Sequence, residues 1–266
     1  MKPTFTKWTQ LFLCLLILGA HELTAKAQVL ADFDEKSRDV FGELVSWEAV
    51  VKHSADPIPR SIHQIWFGDP ARKPPVQRKF QEYAEKMGFQ YRLYSEKDLD
   101  DPALGIDDAK REMIATLLSR RDYWSAADIL RYTVLNAFGG VYCDCDFAPP
   151  VHQGKYIDLF AVFPSKGCFF ITEWHGRNIG RAGLFLGNNL IGASKGHPVT
   201  AHLDKHIVSG IQAWRIQGHN HDAAYCTGPF LLTKILNGPV PVLPIYFVQS
   251  LGMVDYDLES TLRRTS

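Results

Sequence analysis

Two aspartates separated by one residue, Asp144 and Asp146, are the residues in this sequence best suited to chemistry. They follow the β-prone run Val141-Tyr142-Cys143, so we expect them where a strand leaves its sheet. Because side chains alternate along a strand, the two aspartates are predicted to share one face, with Cys143 and Cys145 on the other. Two carboxylates that point into one space repel each other unless a cation lies between them. A divalent metal ion is the obvious candidate.

A helix is predicted directly before this strand. Apolar residues recur at roughly helical spacing within 129–138, and Gly139-Gly140 supplies the backbone freedom that a helix end needs. Asp128 and Arg131 lie three residues apart, so both side chains face the same way on this helix. The spacing alone is equally typical of an ordinary intrahelical ion pair, worth roughly 0.2–0.5 kcal/mol.

Composition limits the classes of protein to which the chain could belong. Its 266 residues are 46% hydrophobic and 22% charged, which is ordinary for a globular protein and favours one large domain. Lys+Arg and Asp+Glu both number 29, so no net field attracts nucleic acid, and we expect no nucleic-acid partner. The ten histidines do not form the H-E-x-x-H pattern of a zinc protease helix.

Residues 1–27 are typical of a targeting segment. Lys2 and Lys7 form a basic start, Leu11–Ala20 is an apolar run, and Ala25-Lys26-Ala27 resembles a signal peptidase site. The apolar run is short for a bilayer span, which needs about 17–25 residues. A cleaved signal peptide is therefore the first interpretation. A short uncleaved signal anchor, with membrane association through it, and a buried N-terminal helix are the alternatives.

The five cysteines do not indicate a disulfide framework. If Cys14 leaves with the signal peptide, four remain, and they contain no C-x-x-C pair. Cys143 and Cys145 are too close in one strand to bridge each other easily. The spacing also disfavours a structural zinc site, so we interpret the four as core thiols.

The order of predicted elements indicates an α/β fold. A strand over 60–68, a helix over Val76–Met87 and a strand over Phe89–Tyr94 form a unit in which the two strands should be parallel. Further helices are predicted over Asp107–Ser119, 197–214 and 227–236. Further strands are predicted over Leu159–Phe163, Cys168–Glu173, Leu184–Ile191 and, as a last extended piece, Pro239–Pro244.

Two blocks of this sequence carry a family resemblance. The run I-P-R-S-I-H-Q-I-W-F-G over 58–68, and A-D-I-L-R-Y with G-G-V-Y-C-D-C-D over 127–146, resemble glycosyltransferase family 32. This family contains sugar transferases with a DXD motif, related to fungal α-mannosyltransferases and more distantly to the large clostridial glucosylating toxins. Weaker similarity follows at Asn188–Ala193, at 196–198 and at Thr227-Gly228-Pro229. A lone D-x-D has little specificity, whereas a D-x-x-R helix, a double glycine and a D-x-D in one block are a strong signal.

The resemblance implies a glycosyltransferase A fold, a Rossmann-like single domain with a central mixed sheet flanked by helices. It divides the chain into a signal peptide or anchor (1–27), a helical lead-in (28–57), a catalytic domain (58–255) and a tail (256–266). The implied activity is metal-dependent, retaining transfer of a hexose from GDP-mannose or a UDP-hexose. The acceptor would be a glycan, lipid or protein.

The resemblance also implies roles for individual residues. Asp144 and Asp146 would hold Mn²⁺ or Mg²⁺ against the donor diphosphate, and carboxylate oxygens suit both ions. Asp128 would accept hydrogen bonds from sugar hydroxyls, and Arg131 would donate to sugar and phosphate oxygens. Trp66 is a further candidate, to stack on the base of the nucleotide-sugar, and Tyr142 would either contact the nucleotide-sugar or pack beside the metal. A further ligand of the metal or the nucleotide-sugar could be Asn189, His219 or His221, each of which is otherwise a plain loop residue. Ala127 stands where the family usually has serine, which removes one polar contact.

Two other functions compete with this hypothesis. Aspartyl-phosphate phosphatases also use D-x-D after a strand. They need a residue with a hydroxyl group two positions after the second aspartate, and this chain has Ala148 there. A sugar-nucleotide or carbohydrate-binding protein without catalysis is the non-enzyme alternative, although such a protein has no evident need for a leaving-group metal. The N-terminal segment favours the lumen of the secretory pathway or export over the cytoplasm.

Overall fold

The computed structural model describes residues 47–72, 76–175, 183–216, 227–228 and 245–249. In this part of the chain a six-stranded sheet, ordered β2-β1-β3-β7-β6-β8, is flanked by helices. Its strands are β1 (Ser61–Ile65), β2 (Gln90–Tyr94), β3 (Gly140–Cys143), β6 (Cys168–His175), β7 (Gly183–Ala193) and β8 (Ile245–Gln249), and β4 (Val151–His152) pairs with β5 (Lys155–Tyr156). The helices are α1 (Trp47–His53), α2 (Val76–Met87), α3 (Asp108–Ser119), α4 (Tyr123–Phe138), α5 (Leu159–Val162) and α6 (Pro198–Ile216).

The sheet is mixed. Strand β1 runs parallel to β2 and β3, whereas β7 is antiparallel to both β3 and β6, and β6 is parallel to β8. The predicted α/β class with a central mixed sheet is therefore confirmed.

The β1–α2–β2 unit forms as its sequence predicts. Helix α2 has the predicted bounds, and its apolar face buries Phe80, Tyr83 and Ala84 against the sheet. The helix is followed by Gly88, which has a φ of 70°, a left-handed conformation that favours glycine. The chain then returns as β2, in parallel register with β1.

Helix α4 is buried along most of its length, from Ser125 to Leu135. It packs between the sheet and α6, with α3 alongside. A buried polar cluster joins these helices at residues away from the D-x-D. Asp204 of α6 accepts hydrogen bonds from Thr133 (2.6 Å) and Asn136 (3.1 Å) of α4 and pairs with Lys110 of α3 at 2.8 Å. Because every charge in the cluster is partnered, the cluster fixes the relative position of the three helices.

One predicted strand is wrong. Residues Leu159–Val162 form the short helix α5, because Asp158 caps it by accepting a hydrogen bond from the Phe160 amide at 2.9 Å. A short apolar run does not distinguish strand from helix by its spacing, and the cap decides here. The β4–β5 hairpin before α5 was not predicted.

The thiols of Cys143, Cys145 and Cys168 are buried and form no disulfide bond among the described residues, as predicted for core cysteines. Among the described residues no helix is long and apolar enough to cross a membrane. Several predictions lie outside the described residues: the targeting segment 1–27, most of the lead-in, Cys226, the helix over 229–236, the extended run Pro239–Pro244 and the tail.

Gly192 of β7 lies directly beside Phe169 of β6, and this contact generates a prediction. A Cβ at position 192 would lie 2.0 Å from the Phe169 ring, which is fully buried and stacked on Phe163. We expect Gly192→Ala to lower the free energy of unfolding by about 1–3 kcal/mol through overpacking, measured by urea denaturation. The double variant Gly192→Ala/Phe169→Leu should recover part of the loss. Equal stability of Gly192→Ala and the wild type would contradict the predicted clash.

Candidate functional site

The described residues with predicted roles in chemistry lie together at one edge of the sheet. They lie beyond the carboxyl ends of β1 and β3, with the first half of α4 on one side and β7 next to β3. Open α/β sheets bind ligands at such an edge, because the strand ends leave a crevice there.

The D-x-D segment is a turn and not an extension of the strand. Strand β3 ends at Cys143, and the Phe147 amide donates to the Asp144 carbonyl at 3.1 Å. The prediction that both aspartates share one strand face is therefore wrong, because side chains do not alternate in a turn. Asp144 keeps 34% of its side-chain exposure, and Asp146 is exposed.

Buried polar groups hold this turn in place. The Gln64 amide donates to the Asp144 carbonyl at 3.0 Å, and the Tyr91 hydroxyl in turn donates to the Gln64 side chain at 2.9 Å. The Asp144 amide donates to the Asn189 carbonyl of β7 at 2.9 Å. The backbone of Asp144 is thus fixed by two neighbouring strands. Sequence reasoning found the motif that contains Gln64 but assigned this residue no role.

His63, the neighbour of Gln64 in β1, fixes the backbone at the start of β3. Burial lowers the pKa of His63 to about 4, so its ring is neutral near pH 7. Its Nε2 lies 2.9 Å from the Gly139 carbonyl and its Nδ1 lies 3.3 Å from the Tyr94 hydroxyl. A neutral ring with its proton on Nε2 donates to the carbonyl and accepts from the phenol. A Cβ at Gly140 would come within 2.8 Å of this imidazole, so the second glycine allows a close approach.

Arg131 is the central cation of the site and is only 4% exposed. Its guanidinium pairs with Asp128 at 2.5 Å, lies 3.4 Å from Asp144 and stands 4.5 Å above the centre of the Tyr142 ring. It also donates to the backbone carbonyl of Asn188. The intrahelical ion pair between Asp128 and Arg131 therefore exists. In addition, the Arg131 guanidinium lies close to the Asp144 carboxylate in the D-x-D turn. The buried Nε of Arg131 has no hydrogen-bond partner among the described residues.

Asp128 is held by side chains far away in the sequence. The Asn188 amide donates to one carboxyl oxygen at 2.9 Å, and the Thr227 hydroxyl donates to the other at 2.5 Å. Burial raises the pKa of Asp128 to about 6, with Arg131 acting in the opposite direction. Sequence reasoning assigned no role to Asn188 or Thr227. The only signal was their place in two of the three weaker segments of family similarity, Asn188–Ala193 and Thr227-Gly228-Pro229.

Three groups act on the Asp144 carboxyl group: the Tyr142 hydroxyl, the Arg131 guanidinium and the Asp146 carboxylate. It accepts a hydrogen bond from the Tyr142 hydroxyl at 2.6 Å. Desolvation raises the pKa of Asp144, the nearby Arg131 lowers it, and the charge of Asp146 raises it. The two carboxyl groups therefore repel each other, which favours a cation near them. The Tyr142 ring is buried, so it packs beside the turn, and its contact with a donor stays a prediction.

The two aspartates fit a hard divalent ion in their chemistry. No group of three or more His, Cys, Asp or Glu side chains that could hold a metal occurs among the described residues. Mg²⁺ is commonly held by one or two carboxylates together with substrate phosphates and water, which matches this pair. An additional role for the Asn189 side chain stays a prediction, and His219 and His221 lie outside the described residues.

Trp66 lies at the mouth of the same crevice, directly after β1. Its side chain is partly buried, and its indole N–H donates to the Asp69 carbonyl at 3.0 Å. Nearby, the Tyr123 ring approaches Gly68 so closely that a Cβ there would lie 3.0 Å away. Trp66 is thus at the correct edge of the sheet for stacking on a base, and the stacking itself stays a prediction.

Residues 102–172 match a family model described as the TcdA/TcdB catalytic glycosyltransferase domain. An uncharacterized glycosyltransferase of Acanthamoeba polyphaga mimivirus is 26% identical over 151 residues, 56% of this chain and 55% of that protein. Inositol phosphoceramide mannosyltransferase 3 of Schizosaccharomyces pombe is 28% identical over 189 residues, 67% of this chain and 44% of that protein. The chain therefore spans about half the length of these relatives.

Among solved structures, the UDP-bound glycosyltransferase domain of the YGT toxin superposes with a TM-score of 0.51 at 10% identity, covering 77% of this chain and 82% of that one. This similarity confirms the predicted glycosyltransferase A fold. The sequence matches confirm the resemblance to sugar transferases and the predicted class, a domain of glycosyltransferase type. Membership of family 32 in particular stays a prediction.

The buried charge pair generates one prediction. Removing Arg131 while Asp128 remains leaves a buried carboxylate without its cation, which typically costs about 3–5 kcal/mol. We expect Arg131→Met to lower the free energy of unfolding by this amount, measured by urea denaturation. The double variant Arg131→Met/Asp128→Asn should lose less than the sum of the two single variants. Strict additivity of the two changes would contradict a direct pair.

The pKa of Asp128 generates another prediction. Its folded pKa, about 6, lies above the ordinary 3.8, so the folded state binds the additional proton. The stabilisation from this group is complete below about pH 4 and is lost as the pH rises toward 6. We expect the unfolding free energy of the wild type, minus that of Asp128→Asn, to fall between these pH values. A difference that is flat or rises across this range would contradict the raised pKa.

Proposed function

We propose that the chain is a metal-dependent, retaining hexosyltransferase. In this proposal a hexose passes from a nucleotide-sugar to a hydroxyl of a glycan, glycolipid or protein. The observation that carries the proposal is the contiguous array Asp128–Arg131–Asp144 at the carboxyl edge of a glycosyltransferase-type sheet. A pure binding protein has no evident need for a leaving-group metal at the carboxylates of Asp144 and Asp146.

The donor proposed is a UDP-hexose or GDP-mannose. UDP is bound in the YGT toxin domain, which has the same fold. The fission yeast relative is named a mannosyltransferase, which favours GDP-mannose. Direct binding of the two nucleotides decides between these donors.

Each residue of the array would have a distinct role. Asp144 and Asp146 would hold Mn²⁺ or Mg²⁺, and a bound ion would neutralise the charge that develops on the departing diphosphate. Arg131 would place a second positive charge at the same side of the reacting bond. Asp128 would accept hydrogen bonds from hydroxyls of the donor sugar. Trp66 would stack on the base.

We propose that the configuration is retained, and the way Asp128 is held favours one of the two retaining routes. A carboxylate nucleophile must be free to approach the anomeric carbon. The oxygens of Asp128 already bind Asn188, Thr227 and Arg131, so this carboxylate is a poor nucleophile. Within a retaining reaction this disfavours a covalent glycosyl intermediate, and we infer a front-face displacement, in which the acceptor hydroxyl attacks on the side of the leaving diphosphate.

The proposed location is the lumen of the secretory pathway, or outside the cell after export. Its support is the basic, apolar and small-residue pattern of residues 1–27. If this segment is retained as an anchor, it would hold the enzyme at a membrane.

Isothermal titration calorimetry with UDP and GDP, with and without Mn²⁺, tests the proposed function. We expect one nucleotide to bind at least tenfold more tightly when Mn²⁺ is present, because the ion bridges carboxylates and diphosphate. Asp146→Asn should abolish this enhancement and reduce donor hydrolysis by more than a hundredfold, while the protein keeps its folding transition.

The matched control is Asp100→Asn, which changes an exposed aspartate paired only with Arg111 at the surface. This variant should bind and hydrolyse the donor like the wild type. If neither nucleotide binds in a metal-dependent way, or if Asp146→Asn keeps full turnover, the proposed function is wrong.

A further inference from the structure

Trp124 is the most exposed large hydrophobic side chain in the described part of the chain. It retains 79% of its exposure, whereas the next such residue, Val162, retains 36%. Tryptophan has a large apolar surface that folding normally buries. The neighbouring residues Ser125 and Ala126 are buried, so Trp124 stands out from an otherwise well-packed helix.

The register of α4 places Trp124 above the proposed sugar-binding residues. Positions 124, 128 and 131 are separated by four and three residues, so they lie on one face of the helix. Helical rise sets Trp124 about 6 Å beyond Asp128 toward the start of α4. The start of α4 lies at the crevice, because the Tyr123 ring packs against Gly68 just after β1. Trp124 therefore lies on the same helix face as Asp128 and Arg131, one turn nearer the exposed start of α4.

The isolation of Trp124 indicates what kind of group it contacts. Protein interfaces expose contiguous apolar patches of several hundred Å². Trp124 is a single exposed indole at the helix start, with the partly buried Tyr123 before it and the buried Ser125 after it. One isolated flat aromatic face matches a single pyranose ring, which has apolar C–H faces and hydroxyls around its edge.

We propose that Trp124 is a platform for the acceptor, on which a pyranose ring of a glycoside stacks next to the donor hexose. This inference rests on the proposed hexosyltransferase function and names the acceptor as a carbohydrate. In the transfer step, the acceptor hydroxyl oxygen bonds to the anomeric carbon of the donor as the bond from that carbon to the diphosphate oxygen breaks. The hydroxyl proton passes to the departing diphosphate.

The test measures how the labelled hexose divides between water and sugar acceptors. Wild type and variants receive the labelled nucleotide-sugar that the wild type hydrolyses, together with methyl α-D-mannopyranoside, methyl α-D-glucopyranoside or methyl β-D-galactopyranoside. We expect transfer to at least one glycoside, and we expect Trp124→Ala to lower its ratio of transfer to hydrolysis roughly tenfold, the factor that about 1.4 kcal/mol of lost contact gives. Trp124→Phe should recover most of this ratio, because it keeps an aromatic face.

Val162→Ala is the matched control, since it shortens the other exposed hydrophobic residue, on α5, and should leave the ratio unchanged. If the wild type hydrolyses the donor but transfers to no glycoside, or if Trp124→Ala keeps the wild-type ratio, the platform is wrong while the transferase proposal stands. If no donor is hydrolysed or transferred, the transferase proposal itself fails.

Discussion

The buried guanidinium of Arg131 is the interaction on which the rest of the site depends. Moving an ion out of water costs several kcal/mol, and nearby opposite charges and hydrogen bonds must offset this desolvation cost. Asp128 supplies the closest charge, Asp144 a second one, and the Tyr142 ring an electron-rich face. These partners come from α4, from β3 and from the turn after β3. The cation therefore requires that the helix and the strand meet in one register.

A second layer of neutral groups makes this register possible. Gln64 and His63 of β1 bind backbone carbonyls at the two ends of β3, and Gly140 leaves room for the imidazole. A neutral histidine suits this buried position, because one ring nitrogen can donate to the Gly139 carbonyl while the other accepts from the Tyr94 hydroxyl. At its other end α4 is fixed by Asp204 and its partners. Both ends of the helix are thus held by polar contacts, and its central turns by apolar packing.

Features set by residues close together in the sequence could be predicted, whereas features set by residues far apart in the sequence could not. The β1–α2–β2 unit and helix α4 follow from local spacing and glycine positions, and their predicted bounds agree with the structure within a few residues. The turn at Asp144 could not be predicted from alternation, because a bond from Gln64, 80 residues away, holds its carbonyl. The partners of Asp128 at positions 188 and 227 lie 60 and 99 residues away, and no local pattern indicates them. Residues that carry charge could be predicted from type and spacing, but the neutral residues that orient them could not.

The hydrogen bond from Thr227 to Asp128 has a consequence for any shortened form of the protein. Thr227 follows α6, whereas the carboxylate that it orients precedes the D-x-D turn. A fragment that ends with β7 would retain Asp128, Arg131 and both aspartates of the turn but would lose one of the two neutral donors to Asp128. Such a fragment would contain the whole motif and still lack a contact that orients the Asp128 carboxylate. A fragment that keeps this contact must extend to a hydroxyl group late in the chain, well beyond the block that carries the charges.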